Sequence, residues 1–268
     1  VRHTTSYAFD KPMRFITQSH RLTPTDCASQ RVLDWKIAAE GAEFGASFRD
    51  GAGDQITTMT VQGPVEQIAV LVTGTVETRD TAGVLRDRRE VISPGVYLRT
   101  TAATNPSGAL ADLIAKSVGK AARDGLPRAH ALSQAVTEPI AYEPGATHAH
   151  STAAEAVEQG RGVCQDHAHA LIALAHAAGL PARYVSGYLL ATEGETPEEA
   201  SHAWAEIHLA SLGWVGFDAA NACCPDERYI RLGSGRDARD AAPIRGVSRG
   251  GGVEALDVTV VVAQQRQQ

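Results

Sequence analysis

The chain has 268 residues, of which 43% are hydrophobic and 21% charged, and its formal net charge is -6. This composition is ordinary for a globular protein, and the acidic balance offers no broad basic surface for nucleic acid or an anionic membrane. No apolar run reaches the roughly 18 residues that a spanning helix needs, so neither a nucleic-acid nor a membrane partner is expected.

The length suits one large domain or two small ones. Four cysteines, Cys27, Cys164, Cys223 and Cys224, are too scattered for a disulfide framework, and the adjacent pair does not readily bridge itself. They suit a reducing compartment, and no charged-then-apolar leader opens the chain, so a cytoplasmic location is the expectation. Nothing in the composition indicates an oligomeric state.

Residues 1–98 read as strands. β-branched residues fill 32–37, 55–61 and 68–76, and turn signals such as Arg49-Asp50-Gly51 and Gln62-Gly63-Pro64 separate them. No helical period survives a full window, so an antiparallel β-sandwich or similar sheet domain is expected here. The pattern changes near Pro94, and residues 99–268 are expected to form a second unit in which helices pack on an antiparallel sheet, giving an α+β protein overall.

Asn105-Pro106-Ser107 opens a helix that carries Leu110, Leu113 and Ile114 on one face. A second helix covers 128–137 and stops before Pro139. Thr152 and Glu155 match a capping box for a helix over 153–159, with Gly160 at the C′ position. The next helix starts near Cys164, sets Ala168, Leu171, Ile172 and Ala175 on the face of that cysteine, and stops at Gly179-Leu180-Pro181. Strands are expected over 182–190, 202–209 and 214–218, with a polar loop over 193–200. Residues 231–252, rich in Gly, Arg and Asp, read as irregular, and 256–262 as a final strand.

Gly160-Arg161-Gly162-Val163-Cys164-Gln165-Asp166-His167-Ala168 places one cysteine where a glycine-punctuated loop enters a helix. Unpaired N–H groups at a helix start favour negative charge, which stabilises a thiolate, and the Cys164 N–H is positioned to donate to a tetrahedral oxyanion. Asp166 in the first turn offsets the helix dipole. His202 opens a strand that sets His202, Trp204, Glu206 and His208 on one side and Ala203, Ala205, Ile207 and Leu209 on the other. A hairpin register pairing 208 with 212 would put His202 directly opposite Asp218. The carboxylate could then bond one imidazole nitrogen and leave the other for sulfur. Cys164, His202 and Asp218 are therefore the candidate nucleophile, base and orienting group. Tyr142, Gln165 and Trp204 are candidates for the oxyanion site or the groove walls.

The densest histidine pairs, His148 with His150 and His167 with His169, invite a metal. His167 and His169 lie about 200 degrees apart around a helix, and neither CxxC nor HExxH occurs, so no metal and no cofactor are expected. A metal hydrolase built on these histidines is one alternative reading, and a catalytically silent groove that holds a peptide or partner is another.

Residues 160–218 resemble the core of the transglutaminase-like superfamily, within the papain-like architecture. Gly162-Val163-Cys164-Gln165-Asp166-His167-Ala168, Gly179-Leu180-Pro181-Ala182-Arg183-Tyr184-Val185-Ser186-Gly187-Tyr188, His202-Ala203-Trp204-Ala205-Glu206 and Gly213-Trp214-Val215-Gly216-Phe217-Asp218 carry the resemblance. Gly235-Arg236-Asp237, Pro243-Ile244-Arg245-Gly246 and the opening nine residues are similar to bacterial members with an N-terminal β-domain. The resemblance implies Cys164 as nucleophile, His202 as base and Asp218 as orienter, with acyl transfer from an amide of a protein or peptide through a thioester. It leaves water and an amine open as the second acceptor. Ala219-Ala220-Asn221 stands where Pro-Thr-Asn is expected, and Ala238 and Ala242 stand where Tyr and Val are usual. Trp35 is the only tryptophan before Cys164, so the tryptophan that serves the oxyanion in animal transglutaminases has no counterpart.

Overall fold

A computed structural model describes residues 1–121, 125–191 and 200–264. The polar loop expected over 193–200 lies outside these residues apart from Ala200.

The chain opens with β1 (Arg2–Thr23), passes through β2 (Gln30–Ala39) and β3 (Ala42–Arg49), and returns along β4 (Gln55–Thr78). β1 and β4 form one long antiparallel ladder, and β2 and β3 pair with opposite ends of β4. The turn expected at Gln62-Gly63-Pro64 is instead a bend inside β4. The ladder shifts register between Ala8 and Phe15, and a Cβ on Gly63 would stand 2.1 Å from the Met13 carbonyl. Glycine here permits a close backbone approach at a bulge, which bends the strand without ending it. The two halves of the bent sheet close on one core, with Phe9, Ile68, Val70 and Val72 from one and Ile16, Leu22, Met59 and Val61 from the other. The expected sandwich-like packing arises from this bend.

The strand-rich reading fails over 79–98. This segment runs irregularly along the far sheet, where Gly216 N–H donates to the Gly83 carbonyl at 2.8 Å and Leu85 N–H to the Trp214 carbonyl at 2.9 Å. It ends in a 3-10 turn, Pro94–Leu98.

The helices follow as α1 (Gly108–Val118), α2 (Gly125–Thr137), α3 (Ala153–Gln159) and α4 (Cys164–Ala177), with the short strands β5 (Ala141–Tyr142) and β6 (Arg161–Gly162) between them. The capping box forms as read: Glu155 N–H donates to Thr152 Oγ1 at 3.2 Å and Thr152 N–H to the Glu155 carboxylate at 2.8 Å. Gly160 closes α3 at φ 68°, in the left-handed region.

β7 (Ala182–Leu189), β8 (Ser201–Leu209), β9 (Gly213–Phe217) and β10 (Tyr229–Gly235) form an antiparallel sheet in the order β10-β7-β8-β9. Ala203, Ala205, Ile207 and Leu209 of β8 join Leu171, Ile172 and Leu174 of α4 in one core, as the alternation predicts. The β8–β9 register differs from expectation. His208 faces Trp214 and Leu209 faces Gly213, so the loop begins one residue later than expected. The pairing thereby shifts by two positions, which preserves the side of every residue.

The irregular reading of 231–252 is overturned. β10 runs into it as far as Gly235, β11 (Ile244–Arg249) lies within it, and β12 (Glu254–Val261) follows. β11 and β12 both pair with β1, so the chain returns to the first sheet after completing the second. The glycines serve close packing: a Cβ on Gly233 would meet the Arg21 side chain at 2.7 Å, and one on Gly235 the Ala241 nitrogen at 2.5 Å.

Arg231 is buried in β10 because its charge is matched. It donates to Glu206 at 2.8 Å and to Asp54 at 2.8 Å. Arg183 donates to Glu206 at 2.6 Å and to both oxygens of Glu90 at 2.9 and 2.8 Å. Arg88 also pairs with Asp54, and Ser234 N–H donates to that carboxylate at 2.7 Å. The network joins the second sheet to the segment after β3 and the segment after β4. Such buried charges are tolerable only with this density of partners.

Candidate active site

Cys164 is the first residue of α4 and is half-buried. Helix geometry leaves the first-turn N–H groups without intrahelical acceptors, and those of Cys164 and Gln165 are among them. Asp166 organises the turn before the thiol. Its Oδ2 accepts from Val163 N–H at 2.8 Å and from the Thr147 hydroxyl at 2.6 Å. A Cβ on Gly162 would lie 2.7 Å from the same oxygen, so only glycine fits there. Oδ2 of the carboxylate next to the thiol is thus committed to structural bonds at the positive end of the helix, while Oδ1 is buried without a hydrogen-bond partner among the described residues.

His202 comes from β8, and Cys164 is among the groups that favour the charged form of its imidazole. Nε2 of His202 lies 2.6 Å from Asp218 Oδ2 at the end of β9, with both side chains buried. With Nε2 turned to the carboxylate, Nδ1 is the nitrogen left for sulfur. Burial opposes charging the imidazole. The bonds to Asp218 and Cys164 outweigh it and carry its pKa up to about 10. Burial likewise opposes ionising Asp218, and donation from His202, Tyr229 and Asn221 holds the carboxyl below its ordinary range. The arrangement keeps the imidazole charged, with a carboxylate fixing the ring.

Trp204 is buried and its ring lies 6.5 Å from the His202 ring at 25°, which places it behind the imidazole. Gly187 of β7 makes room for it, since a Cβ there would stand 2.6 Å from the indole. Tyr142 is 55% exposed and pairs across the β5–β6 ladder with Gly162, two residues before Cys164. The Gln165 amide donates to the His148 carbonyl at 3.4 Å and so supports the neighbouring loop.

His167 and His169 bond backbone groups instead. His167 has its ring nitrogens 2.9 Å from the Val163 carbonyl and 3.0 Å from the Ile140 carbonyl. His169 Nε2 accepts the Ala238 N–H at 3.0 Å, and burial pushes its pKa down to about 4. Among the described residues no three metal-ligating side chains come together.

Three participants escaped the sequence reading. Tyr229 donates to Asp218 Oδ2 at 2.7 Å and Asn221 Nδ2 donates to the same oxygen at 2.8 Å. Thr147 is the third. The Glu206 network was also missed: Glu206 lies on the side of β8 away from the α4 core, yet it is buried and needs cationic partners. Cys223 and Cys224 sit in the turn after Asp218, and burial pushes both thiols up.

Residues 112–219 match the family model described as "Transglutaminase-like superfamily", and residues 1–77 match that of the "Bacterial transglutaminase-like N-terminal region". An uncharacterized protein of Mycobacterium leprae is 32% identical over 284 residues, covering 98% of each chain. An uncharacterized protein of Mycobacterium tuberculosis is 36% identical over 126 residues, 43% of this chain and 40% of its own. Among solved structures, a candidate cysteine protease from Cytophaga hutchinsonii superposes with a TM-score of 0.70 at 21% identity, covering 98% of this chain and 92% of its own. At that identity the likeness speaks for the fold.

Proposed function

The chain belongs to the transglutaminase-like superfamily, and we propose that it is a cysteine-dependent acyl-transfer enzyme acting on amide bonds of a protein or peptide, in the cytoplasm. The observation that carries this reading is the His202–Asp218 pair at 2.6 Å, with Cys164 at the start of α4 favouring the charge on the same imidazole.

In the proposed reaction Sγ of Cys164 adds to the amide carbonyl carbon. The developing oxyanion takes a hydrogen bond from the Cys164 N–H at the start of α4. His202 gives its proton to the leaving nitrogen, the C–N bond breaks, and an acyl thioester remains on sulfur. The now neutral imidazole removes a proton from water or from an incoming amine, which attacks the thioester. The C–S bond breaks, and the acid or the new amide departs. Asp218 holds the ring in the tautomer that faces sulfur and stabilises the imidazolium. Tyr142 stands beside the loop that leads to Cys164, on the open side, and is the candidate second oxyanion group. Trp204 backs the imidazole.

The test is to trap the intermediate. The protein is incubated with a library of glutamine- and asparagine-containing peptides, quenched in acid and digested. A mass increase on the Cys164 peptide that is missing from Cys164→Ala supports the reading. Turnover that survives in Cys164→Ala overturns it.

A further inference from the structure

Tyr229, the first residue of β10, stands beside the carboxylate that His202 meets. The two oxygens of Asp218 are used differently. Among the described residues Oδ1 accepts only backbone N–H groups, from Ala220 at 3.0 Å and Asn221 at 3.2 Å. Oδ2 accepts three side chains: His202 at 2.6 Å, Tyr229 at 2.7 Å and Asn221 at 2.8 Å. The backbone bonds fix where the carboxylate is. The side-chain bonds divide its charge.

The Tyr229 side chain is held by its packing as well as by its bond to Oδ2. Its ring is buried edge-on to Trp204, at 5.5 Å between centroids, and at 5.9 Å from His202. Its oxygen lies 3.3 Å from Cys223 Sγ, so it can accept from that thiol while donating to Asp218. Cys223 is held in turn by paired backbone bonds with Asp218, at 2.8 and 3.1 Å.

We propose that Tyr229 is a positioning residue that sets how strongly Asp218 holds the imidazolium of His202. The proposal rests on the Cys164–His202–Asp218 reading above. An O–H aimed at Oδ2 withdraws charge from the oxygen that also faces Nε2, and its dipole opposes the field of the carboxylate at the ring. The imidazolium is then a better acid toward a leaving amine than an unshared carboxylate would allow. Burial and the Asp218 charge push the Tyr229 phenol up, so it remains a donor at neutral pH.

The experiment follows alkylation of Cys164 by iodoacetamide across pH, mapped by peptide, in wild type, Tyr229→Phe, Asp218→Asn and the double variant. Tyr229→Phe keeps the ring and its packing. The upper step of the alkylation profile, where the imidazolium loses its proton, is expected to rise by about half a unit to one unit in Tyr229→Phe. In the Asp218→Asn background the same change should shift nothing, because the effect acts through the carboxylate. Asn221→Ala removes another donor from the same oxygen at an exposed site, and gives a shift of the same sign. An upper step that coincides with wild type in both Tyr229→Phe and Asn221→Ala overturns the proposal. So does an equal shift with and without the carboxylate. If wild-type Cys164 reacts no faster than the other thiols, the underlying reading itself falls.

Discussion

His202 and Asp218 meet diagonally across the β8–β9 hairpin, at 2.6 Å, and not as a directly opposed pair. Continuing the observed register places Asp218 opposite Trp204, one pleat along on the same face. The indole therefore fills the directly opposed position and the carboxylate reaches past it to the imidazole. This diagonal makes Trp204 the backing of the ring and leaves Nδ1 as the nitrogen not taken by the carboxylate.

Residues that act as one unit lose function together. Cys164→Ala, His202→Ala and Asp218→Asn are expected to disable the same step, and each double variant should be scarcely worse than its worse single. Asp218→Asn should be the mildest, because the thiol and imidazole remain and only tautomer and charge support are lost. The measurement is single-turnover acylation with any peptide that labels Cys164. Losses that multiply across the singles would show three independent roles and break the assignment.

The thiols should differ sharply in reactivity. Cys164 sits at a helix start against a charged imidazole, whereas burial pushes the Cys223 and Cys224 thiols up. Brief treatment with iodoacetamide near neutral pH is expected to label Cys164 first by peptide mapping. His202→Ala should slow that labelling and leave Cys223 and Cys224 unchanged. Preferential labelling of either of those two would contradict the electrostatic picture.

Glu206 answers to two arginines, Arg183 and Arg231, and its carboxyl is held down at about 2. Burial works against the charge and the two guanidinium groups overcome it. Glu206→Gln leaves both cations buried with half their partner removed, a change that typically costs about 3–5 kcal/mol. For a chain of this size that corresponds to a fall in melting temperature of roughly 10 °C. Calorimetry checks it, with Glu143→Gln as the control, because the Arg161–Glu143 pair is exposed. Equal melting temperatures for the two variants would show that the network is not structural.

What could be read in the sequence divides along physical lines. Thr152, Glu155 and Gly160 act through contacts a few residues away, so the α3 boundaries were legible. The sides of β8 were legible because alternation in a strand with period two survives a displaced loop. The bend at Gly63 was not, because glycine and proline signal a turn equally well when the distant Met13 carbonyl is unseen. β10 and β11 were hidden for the same reason. Arg231 reads as a loop residue until Asp54 and Glu206, far away in the chain, supply its counter-charges. At the site, Cys164, His202 and Asp218 carried their chemistry in their residue types, whereas Tyr229 gained its role only from where β10 begins.

Titration of the fold should show losses on both sides of neutrality, from different groups. Burial pushes His3, His20 and His169 down to about 4, below their ordinary 6.5. Each unfolded histidine then binds a proton that the folded one refuses, so stability falls as pH drops from 6.5 toward 4. The loss is at most about 3 kcal/mol per histidine. His202 has the opposite sign: burial lowers it, but Asp218 and Cys164 raise it to about 10. Its contribution is complete below 6.5 and disappears as pH rises through 10. The lowered Asp218 adds stability above 3.8 that is lost as pH falls through its folded value. Urea unfolding at acidic, neutral and alkaline pH measures both limbs. His202→Gln should flatten the limb between 6.5 and 9, below the range where the raised Cys223 and Cys224 thiols and the raised tyrosines act, and leave the limb between 6.5 and 4 in place, because His3, His20 and His169 are untouched. A limb between 6.5 and 9 as steep in His202→Gln as in wild type would show that Asp218 and Cys164 are not what stabilises the charged ring.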